Sequence, residues 1–562
     1  MISVFLQVLV FIATLTALAF PLGEYMAKVF NGERTFLSFA LAPAERLCYK
    51  IFRVNPTEES DWKQFALDLL IFNVIGLVAL YVLQEIQFWL PFNPQKLSHV
   101  RWDTALNTAI SYVTNTNWQS YKSEITMSYL TQMLGQNLQN FLSAATGIAV
   151  GIAFIRGFQR KTTTAIGNFW VYLTRAILYV LLPLAVIVSL VLVSQGTVQN
   201  FKPYVTAHTI EGRTQILAQG PAASQIAIKH LGTNGGGFFS ANSAHPYENP
   251  TPFTDYLEIL SLLIIAAAFP FTFGAMLKDR KQGWTIFITM LLLYCLGISV
   301  IIWAEFHGNP LLEKIGIANG LNLEGKEVRL GTLASSVFAN STTATSTGAV
   351  NAMHDSFMPL SGLVLIFNMA IGEVIFGGVG TGFIGMLMYA ILTMFLIGLM
   401  IGRSPEIYGK KLEPYEMIMV SIALILPAVM QLIFSAIAAT NHTGVASLGN
   451  SGPHGISEIL YAYASGIGNN GSAFAGLNAD NPFYNLTIGL AMLIGRLTLL
   501  IPSLAIAGSL IEKKFIPMTS RFPTANFIFV IILAGMVLLF GALTFFPVWV
   551  AGPILEHTQI TQ

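Results

Sequence analysis

Ten long apolar stretches interrupt this chain of 562 residues, and no other feature restricts its fold so tightly. A helix needs about 20 apolar residues to cross the hydrocarbon core of a bilayer. By that measure spans are expected near residues 2–27, 65–90, 130–155, 168–195, 255–277, 284–304, 362–402, 415–440, 485–511 and 525–550. Only 10% of residues are charged and 54% are hydrophobic. Soluble domains carry about 25% charged residues, so lipid is the expected solvent and partner of most of the surface. Lys+Arg is 29 and Asp+Glu 28, which leaves no net field to attract nucleic acid or another polyanion. The apolar run from Ile2 to Phe20 has neither a basic leading segment nor an Ala-x-Ala cleavage site, and reads as a retained first span. Cys48 and Cys295 lie far apart and predict neither a disulfide nor a metal framework.

The seventh stretch is too long for one crossing. As a helix it would reach roughly 60 Å against a hydrocarbon core of about 30 Å. It holds Gly372, Gly377, Gly378, Gly380, Gly382 and Gly385. Glycine is costly in a helix interior, so this span is expected to be broken or re-entrant in its middle.

Basic residues set the expected orientation. One set of short connections carries Lys28, Arg34, Arg46, Lys50, Arg53, Lys63, Arg156, Arg160, Lys161, Lys278, Arg280, Lys281, Arg403, Lys410, Lys411, Lys513, Lys514 and Arg521, 18 cations in all. The opposite, much longer set carries nine: Lys96, Arg101, Lys122, Lys202, Arg213, Lys229, Lys314, Lys326 and Arg329. The first set is therefore read as cytoplasmic, with both termini and the long connections outside.

Those long connections repeat. Each has about ten residues able to form a short helix, then small polar residues. Trp102 to Ile110 leads into Thr114-Asn115-Thr116-Asn117-Trp118-Gln119. Ala222 to Leu231 leads into Gly232-Thr233-Asn234-Gly235-Gly236-Gly237. Leu333 leads into Thr345-Ser346-Thr347-Gly348-Ala349, and Ile456 into Gly468-Asn469-Asn470-Gly471-Ser472. With Gly235 set on Gly471, Asn234 matches Asn470, Phe238 matches Phe474, Asn242 matches Asn478 and Pro246 matches Pro482; the third loop keeps Gly348, Asp355 and Pro359. Setting Thr114-Asn115 on Thr233-Asn234 puts Thr116 where the others have glycine. The tips Thr116, Gly235, Gly348 and Gly471 are then 119, 113 and 123 residues apart. A period near 118 accounts for eight of the ten spans. The implied units are an extra span with a cytoplasmic loop (1–60), four pore repeats (61–161, 162–281, 282–411 with the broken span, and 412–520) and a last extra span (521–562).

A ring of neutral oxygens is the best replacement for the hydration shell of a monovalent alkali cation. Glycine lets backbone carbonyls face one side, neighbouring Asn, Thr and Ser brace the loop, and a short helix ending at the tip aims its negative end at the ion. None of the four tips contains Asp or Glu, whereas a divalent-cation site wants carboxylates. The loops therefore point to a weakly charged monovalent cation held among Asn115, Thr116, Asn117, Gln119, Asn234, Gly235, Gly236, Thr347, Gly348, Asn470 and Gly471, and spacing alone does not select K⁺ over Na⁺. Gln119 reads equally as a ligand or as a brace, Trp118 as packing, and Asp355 and His245 as surface or capping residues. Intramembrane ionisable groups are costly, which makes Glu373, with Gly377, Gly378 and Gly380, a candidate gate below the filter and Arg496 a candidate charge along the ion path. The bland alternative pairs each with another buried polar group or lets Arg496 snorkel. Arg403 is a weaker member of this set, at the cytoplasmic end of the seventh span. The sequence has no Gly-x-x-x-x-Gly-Lys-[Ser/Thr] loop and no Asp-Lys-Thr-Gly motif, so any coupling to ATP needs another chain, and no nucleotide is expected on this one.

Thr114-Asn115-Thr116-Asn117-Trp118-Gln119-Ser120-Tyr121, Gly232-Thr233-Asn234-Gly235-Gly236-Gly237-Phe238-Phe239 with Asn249-Pro250, Asn470-Gly471-Ser472-Ala473-Phe474-Ala475-Gly476, and Gly402-Arg403-Ser404-Pro405-Glu406 with Gly409-Lys410-Lys411 carry a resemblance. Over essentially its full length the chain resembles the A-subunit family of the bacterial Kdp potassium-transporting P-type ATPase. The resemblance implies an all-α polytopic fold of the superfamily of K⁺ transporters: four span–pore helix–span repeats and one extra helix at each end. It implies that Thr116, Gly235, Gly348 and Gly471 form the selectivity ring, with Gln119 beside it and the broken seventh span gating below. It further implies a non-catalytic subunit of a high-affinity uptake complex in the bacterial inner membrane. The partners would be a P-type ATPase catalytic subunit, a single-span C subunit and a small hydrophobic single-span peptide, with K⁺ passing sideways towards the ATPase chain. The main rival is a stand-alone K⁺ channel or symporter of the Trk/Ktr/HKT kind. An intramembrane enzyme would need a convergent nucleophile, base or metal set, and no His-Glu-x-x-His or Gly-x-Ser-x-Gly constellation is present.

Overall fold

The computed structural model describes residues 2–317, 320–516 and 522–562. Among the described residues, ten helices are long and apolar enough to cross a membrane: Val4–Asn31, Trp62–Trp89, Thr131–Gln159, Phe169–Ser194, Pro252–Met276, Arg280–Lys314, Thr381–Met400, Pro414–Thr440, Pro482–Glu512 and Phe527–Thr561. Four short helices sit in the long connections, at Trp102–Val113, Ala222–Leu231, Gly331–Ala344 and Gly452–Gly468. The order is an extra span, four span–pore helix–span repeats, and a last extra span.

Local chemistry fixes where the outgoing spans begin. Proline opens each of three of them, at Pro252, Pro359 and Pro482, where its missing N–H and fixed φ suit the first helical position. Asn481 caps the last of these by accepting from Tyr484 N at 3.0 Å. The proline equivalent to Pro482 in the second repeat is thus Pro252. Pro246, matched to it by sequence offset, lies in the turns ahead of the helix, because the second loop is longer than the fourth.

The seventh span is broken, as its glycines predict. Pro359–Ala370 is helical, residues 371–380 are not, and Thr381–Met400 resumes the helix. Left-handed φ values at Gly372 (85°), Glu373 (51°), Phe376 (67°), Gly377 (67°) and Gly380 (82°) define the break. Two of these are not glycine, so tertiary packing must hold them there.

The core lies around the third and fifth spans, whose apolar windows are 89% and 83% buried, against 17% for each of the first two spans. Gly23 lets the first span press on Ala268 and Phe271 of the fifth, and Thr272 Oγ1 donates to Gly23 O at 3.2 Å. The last span packs Phe540 on Tyr389 of the seventh, ring centroids 5.4 Å apart. The end spans therefore lean on the second and third repeats.

Cations of the shorter connections gather on one face. Arg160 pairs with Glu59 at 2.6 Å, Arg280 with Glu24 at 2.8 Å and Lys513 with Glu416 at 2.8 Å. Lys410 Nζ donates to Arg160 O at 2.6 Å and Lys513 O at 2.7 Å. Arg521, counted with them, lies outside the described residues. Two cations of the opposite set are not surface charges at all: Lys229 is buried against Glu248 at 2.5 Å and Lys326 against Glu305 at 2.8 Å. Both cysteines are free and half-buried.

Candidate functional site

The four tips meet one another edge to edge. A Cβ on Gly235 would collide with the Gly348 backbone, one on Gly348 with Gly471, and one on Gly471 with the carbonyl of Thr116. Asn117 Nδ2 closes the ring by donating to Gly235 O at 3.2 Å. Neighbouring loops are also cross-braced by amides. Asn115 Nδ2 donates to Gly232 O (3.2 Å) and Thr233 O (2.9 Å), and Asn234 Nδ2 to Asn115 Oδ1 (2.5 Å). Asn470 Nδ2 donates to Thr342 O (2.8 Å) and Thr345 O (2.9 Å), and Asn469 Nδ2 to Thr116 Oγ1 (3.0 Å). Thr345 Oγ1 donates to Thr347 Oγ1 at 2.9 Å. Asn115, Thr116, Asn117, Asn234, Thr347 and Asn470 are all buried. Above the tips a cavity of about 270 Å³ is lined by Asn117, Gln119, Gly236, Gly348 and Gly471 among others, with no carboxylate in its wall.

Backbone geometry corrects the sequence register of the first loop. Asn115, Thr233 and Asn469 share a left-handed φ of 66°, 48° and 59°. Two residues on, Asn117, Gly235 and Gly471 share another, 55°, 94° and 93°. The N–H groups of Thr116, Asn234 and Asn470 all donate to a carbonyl five residues earlier, on Ser111 (2.9 Å), Lys229 (2.8 Å) and Ser465 (2.9 Å). A third marker includes the third loop: a pore-helix side chain donates to the carbonyl seven residues later. The pairs are Ser111 Oγ to Trp118 O (3.0 Å), Lys229 Nζ to Gly236 O (3.0 Å) and Thr342 Oγ1 to Ala349 O (2.6 Å). Asn117, and not Thr116, therefore shares the level of Gly235, Gly348 and Gly471. Matching Thr-Asn to Thr-Asn misplaced the loop by one residue, because asparagine tolerates the left-handed conformation that glycine supplies elsewhere.

Gln119 is a brace between the first two loops. Its Nε2 donates to Gly237 O at 3.2 Å and to the hydroxyls of Tyr112 and Ser123 at 3.0 Å, and its Oε1 accepts from Gly237 N at 2.9 Å. Trp118 is buried in packing, and His245 stacks on Phe239 at 4.3 Å. Asp355 is held by His454 at 2.8 Å.

Two groups of supporting residues escaped the sequence reading. Gln132, Gln136, Asn140 and Ser143 run along one face of the third span; Gln136 Nε2 donates to Tyr121 OH (2.7 Å), Asn140 Oδ1 accepts from Asn117 (2.7 Å) and Ser143 Oγ donates to Asn115 Oδ1 (2.8 Å). Their signal was present, since polar residues at helical spacing inside an apolar span mark a buried polar face. The buried Lys229–Glu248 pair is the other group, and no local pattern distinguishes Lys229 from a surface lysine.

The break in the seventh span runs beneath the ring. Gly377 N donates to Ala344 O at 2.9 Å and Val379 N to Thr233 Oγ1 at 3.0 Å. Gly378 abuts Ser346, and Gly380 abuts the Gly147 carbonyl of the third span. Glu373 is buried and accepts a hydrogen bond from Ser346 Oγ. Arg496 is also buried, and its Nη2 donates to Ser143 O at 3.1 Å and Thr146 Oγ1 at 3.4 Å. No carboxylate lies within ion-pair distance of Arg496 among the described residues. The structure thus brings Glu373, Gly377, Gly378 and Gly380 directly under the loops and Arg496 against the third span. Arg403 stands apart, exposed in the turn after Thr381–Met400.

Comparison with known proteins places this arrangement. The family described as Potassium-transporting ATPase A subunit matches residues 9–558. A potassium-transporting ATPase potassium-binding subunit from Herpetosiphon aurantiacus is 53% identical over 574 residues, covering 99% of each chain. One from Methylorubrum extorquens is 52% identical over 553 residues, covering 98% of this chain and 97% of its own. Among solved structures, the potassium transporter TrkH from Vibrio parahaemolyticus superposes with a TM-score of 0.53 at 14% identity, covering 79% of this chain and 84% of that one. That likeness speaks to the repeat fold alone. With a match along nearly all of its length, the chain belongs to the potassium-transporting ATPase A subunit family.

Proposed function

We propose that this chain is the K⁺-binding, ion-selecting subunit of an ATP-driven K⁺ uptake complex, and that K⁺ binds at the level of Asn117, Gly235, Gly348 and Gly471. One observation carries the reading: the tips of four loops of a single chain close into a ring of glycine and neutral Asn and Thr residues, with no carboxylate in the wall of the cavity above it. Such a ring replaces the hydration shell of a weakly charged ion and disfavours a divalent one. The names borne by relatives about half identical over the whole chain support the same ion.

The finer parts of the reading belong with it. Hydrolysis of ATP falls to a separate P-type ATPase subunit, with a single-span C subunit and a small hydrophobic peptide completing the complex. The complex sits in the bacterial inner membrane, with the cation-rich face inside. The pore loops and both termini lie outside; the contact of Glu556, near the C-terminus, with His454 at the start of the fourth pore helix supports the shared side. Glu373 and the glycines beside it form the gate under the filter.

Purified complex and isolated chain, each in proteoliposomes, are to be compared for ⁸⁶Rb⁺ uptake with and without ATP. Saturable uptake that needs both ATP and the partner subunits is the expected result. Equal ATP-independent uptake by the chain alone would establish the channel or symporter reading instead. Gly235→Asp, which puts a carboxylate and a Cβ into the Gly348 backbone, should raise half-saturating K⁺ by at least about tenfold.

A further inference from the structure

We propose that Lys229 is a positioning residue that sets ion discrimination in the filter, by tying the Gly236 carbonyl of the second loop to a buried ion pair. The inference rests on the cation-filter reading above.

Lys229 stands in the last turn of the pore helix Ala222–Leu231. Its ammonium lies 3.0 Å from Gly236 O and 2.5 Å from Glu248 Oε2, and the two side chains are 1% and 0% exposed. The other carboxylate oxygen of Glu248 accepts from Phe239 N at 2.7 Å. The pair therefore grips the second loop at two backbone points, Gly236 and Phe239. The backbone carbonyl of Lys229 holds two more, accepting from Asn234 N (2.8 Å) and Gly235 N (3.2 Å).

The equivalent position in the other three repeats carries a hydroxyl. Ser111 and Thr342 donate to the carbonyl seven residues on, and Ser465 Oγ instead accepts from Gly471 N at 3.0 Å. A charge-assisted hydrogen bond is roughly twice as strong as a neutral one, so one loop of four has a distinctly stronger tether. That loop is also the one that needs it. Gly235-Gly236-Gly237 is the longest glycine run at any tip, and Gly235 and Gly236 both have left-handed φ, 94° and 66°. Without side chains of its own to pack, this backbone must be held from outside. Gln119 holds it at Gly237 from the first loop, and Lys229 holds it from behind.

Fold stability gives no comparable reason for the pair. Replacing a buried ion pair by apolar side chains of similar volume is often neutral or stabilising. What an apolar pair cannot do is anchor the Gly236 carbonyl, and with it the backbone of the tip. A loop free to relax would fit a larger alkali ion nearly as well as K⁺, so the loss should appear in discrimination first.

The test uses the assembled complex, with K⁺- and Rb⁺-stimulated ATP hydrolysis as readouts and co-purification as the check on assembly. Lys229→Met/Glu248→Gln removes the donor without leaving a buried charge unpaired. Half-saturating K⁺ should rise about tenfold, the size expected for losing one hydrogen bond to a charged group. The Rb⁺/K⁺ ratio of half-saturating concentrations should fall towards one while the maximal rate stays within about twofold. Lys229→Arg, which keeps charge and donor but shifts the donor outward, should move the same ratio by about threefold. Unchanged K⁺ and Rb⁺ half-saturation in the assembled double variant overturns the proposal. Should the double variant not assemble, an unchanged ratio in Lys229→Arg overturns it. Absence of K⁺-saturable hydrolysis in the unsubstituted complex would instead sink the filter reading itself, so the two failures are distinguishable.

Discussion

Asn117 combines two roles that the other three tips divide. It adopts the left-handed backbone that Gly235 and Gly471 adopt, at φ 55°, and its side chain bonds Asn140 Oδ1 at 2.7 Å and Gly235 O at 3.2 Å. Asn117→Ala should lose both bonds and also strain the backbone, since alanine lacks the local hydrogen bonding that eases asparagine into this conformation. A rise of about tenfold in half-saturating K⁺ is expected, from one or two buried hydrogen bonds at about 1 kcal/mol each. Thr116→Ser is the contrasting control. Serine keeps the hydroxyl that meets Thr114 Oγ1 at 2.7 Å and Asn469 Nδ2 at 3.0 Å, so affinity should change by less than about twofold. K⁺-stimulated ATP hydrolysis by the assembled complex measures both, and an unchanged half-saturating K⁺ in Asn117→Ala would remove Asn117 from the ring.

At the scale of elements, the seventh span separates what sequence could reveal from what it could not. Its excess length and cluster of glycines were enough to foresee a break, because both follow from the thickness of a bilayer and the cost of glycine in a helix. The place where the break docks was not legible. Gly380, at φ 82°, rests on the Gly147 carbonyl of the third span, more than two hundred residues away in sequence. The same limit explains the one-residue slip in the first loop. Its register is set by φ values and by bonds to Ser111, which leave no trace in a comparison of letters. It also explains Lys229, whose burial depends on a glutamate in the following loop. Gly380→Ala should strain the left-handed backbone and push the broken segment off the third span, a cost of about 1–3 kcal/mol. Because Gly380 is beneath the ring and not in it, the maximal rate of ⁸⁶Rb⁺ uptake should drop severalfold with little change in half-saturating ion concentration. A change in affinity alone, with the maximal rate intact, would remove this segment from the gate.

Across the whole molecule, contacts between distant segments decide how the four repeats close into one ring, and His454 shows the kind of contact involved. Its Nε2 donates to Asp355 Oδ1, which follows the third loop, and its Nδ1 to Glu556 Oε1 in the C-terminal helix, both at 2.8 Å. One imidazole at the start of the fourth pore helix thereby joins three segments on the loop side. Two carboxylates on the two ring nitrogens require the doubly protonated form. Burial opposes that charge, but Asp355 and Glu556 outweigh it and push the His454 pKa up from 6.5 to about 10. A group whose pKa is higher folded than unfolded stabilises the fold fully below its unfolded value and loses that contribution as pH rises through the folded one. The stabilisation from the clamp should therefore be full below about pH 6.5, fall steadily to roughly half by pH 8, and be lost through about pH 10. His454→Asn in the assembled complex should lower the thermal midpoint by several degrees at pH 7, and Glu556→Gln should do so by less, since one of the two carboxylates remains. Above about pH 10 the unsubstituted and His454→Asn complexes should converge, because the neutral imidazole can donate to only one carboxylate. A gap between their midpoints that stays constant from about pH 7 to pH 11 would mean that His454 acts through packing on Phe474, whose ring centroid lies 5.6 Å away, and not through its charge.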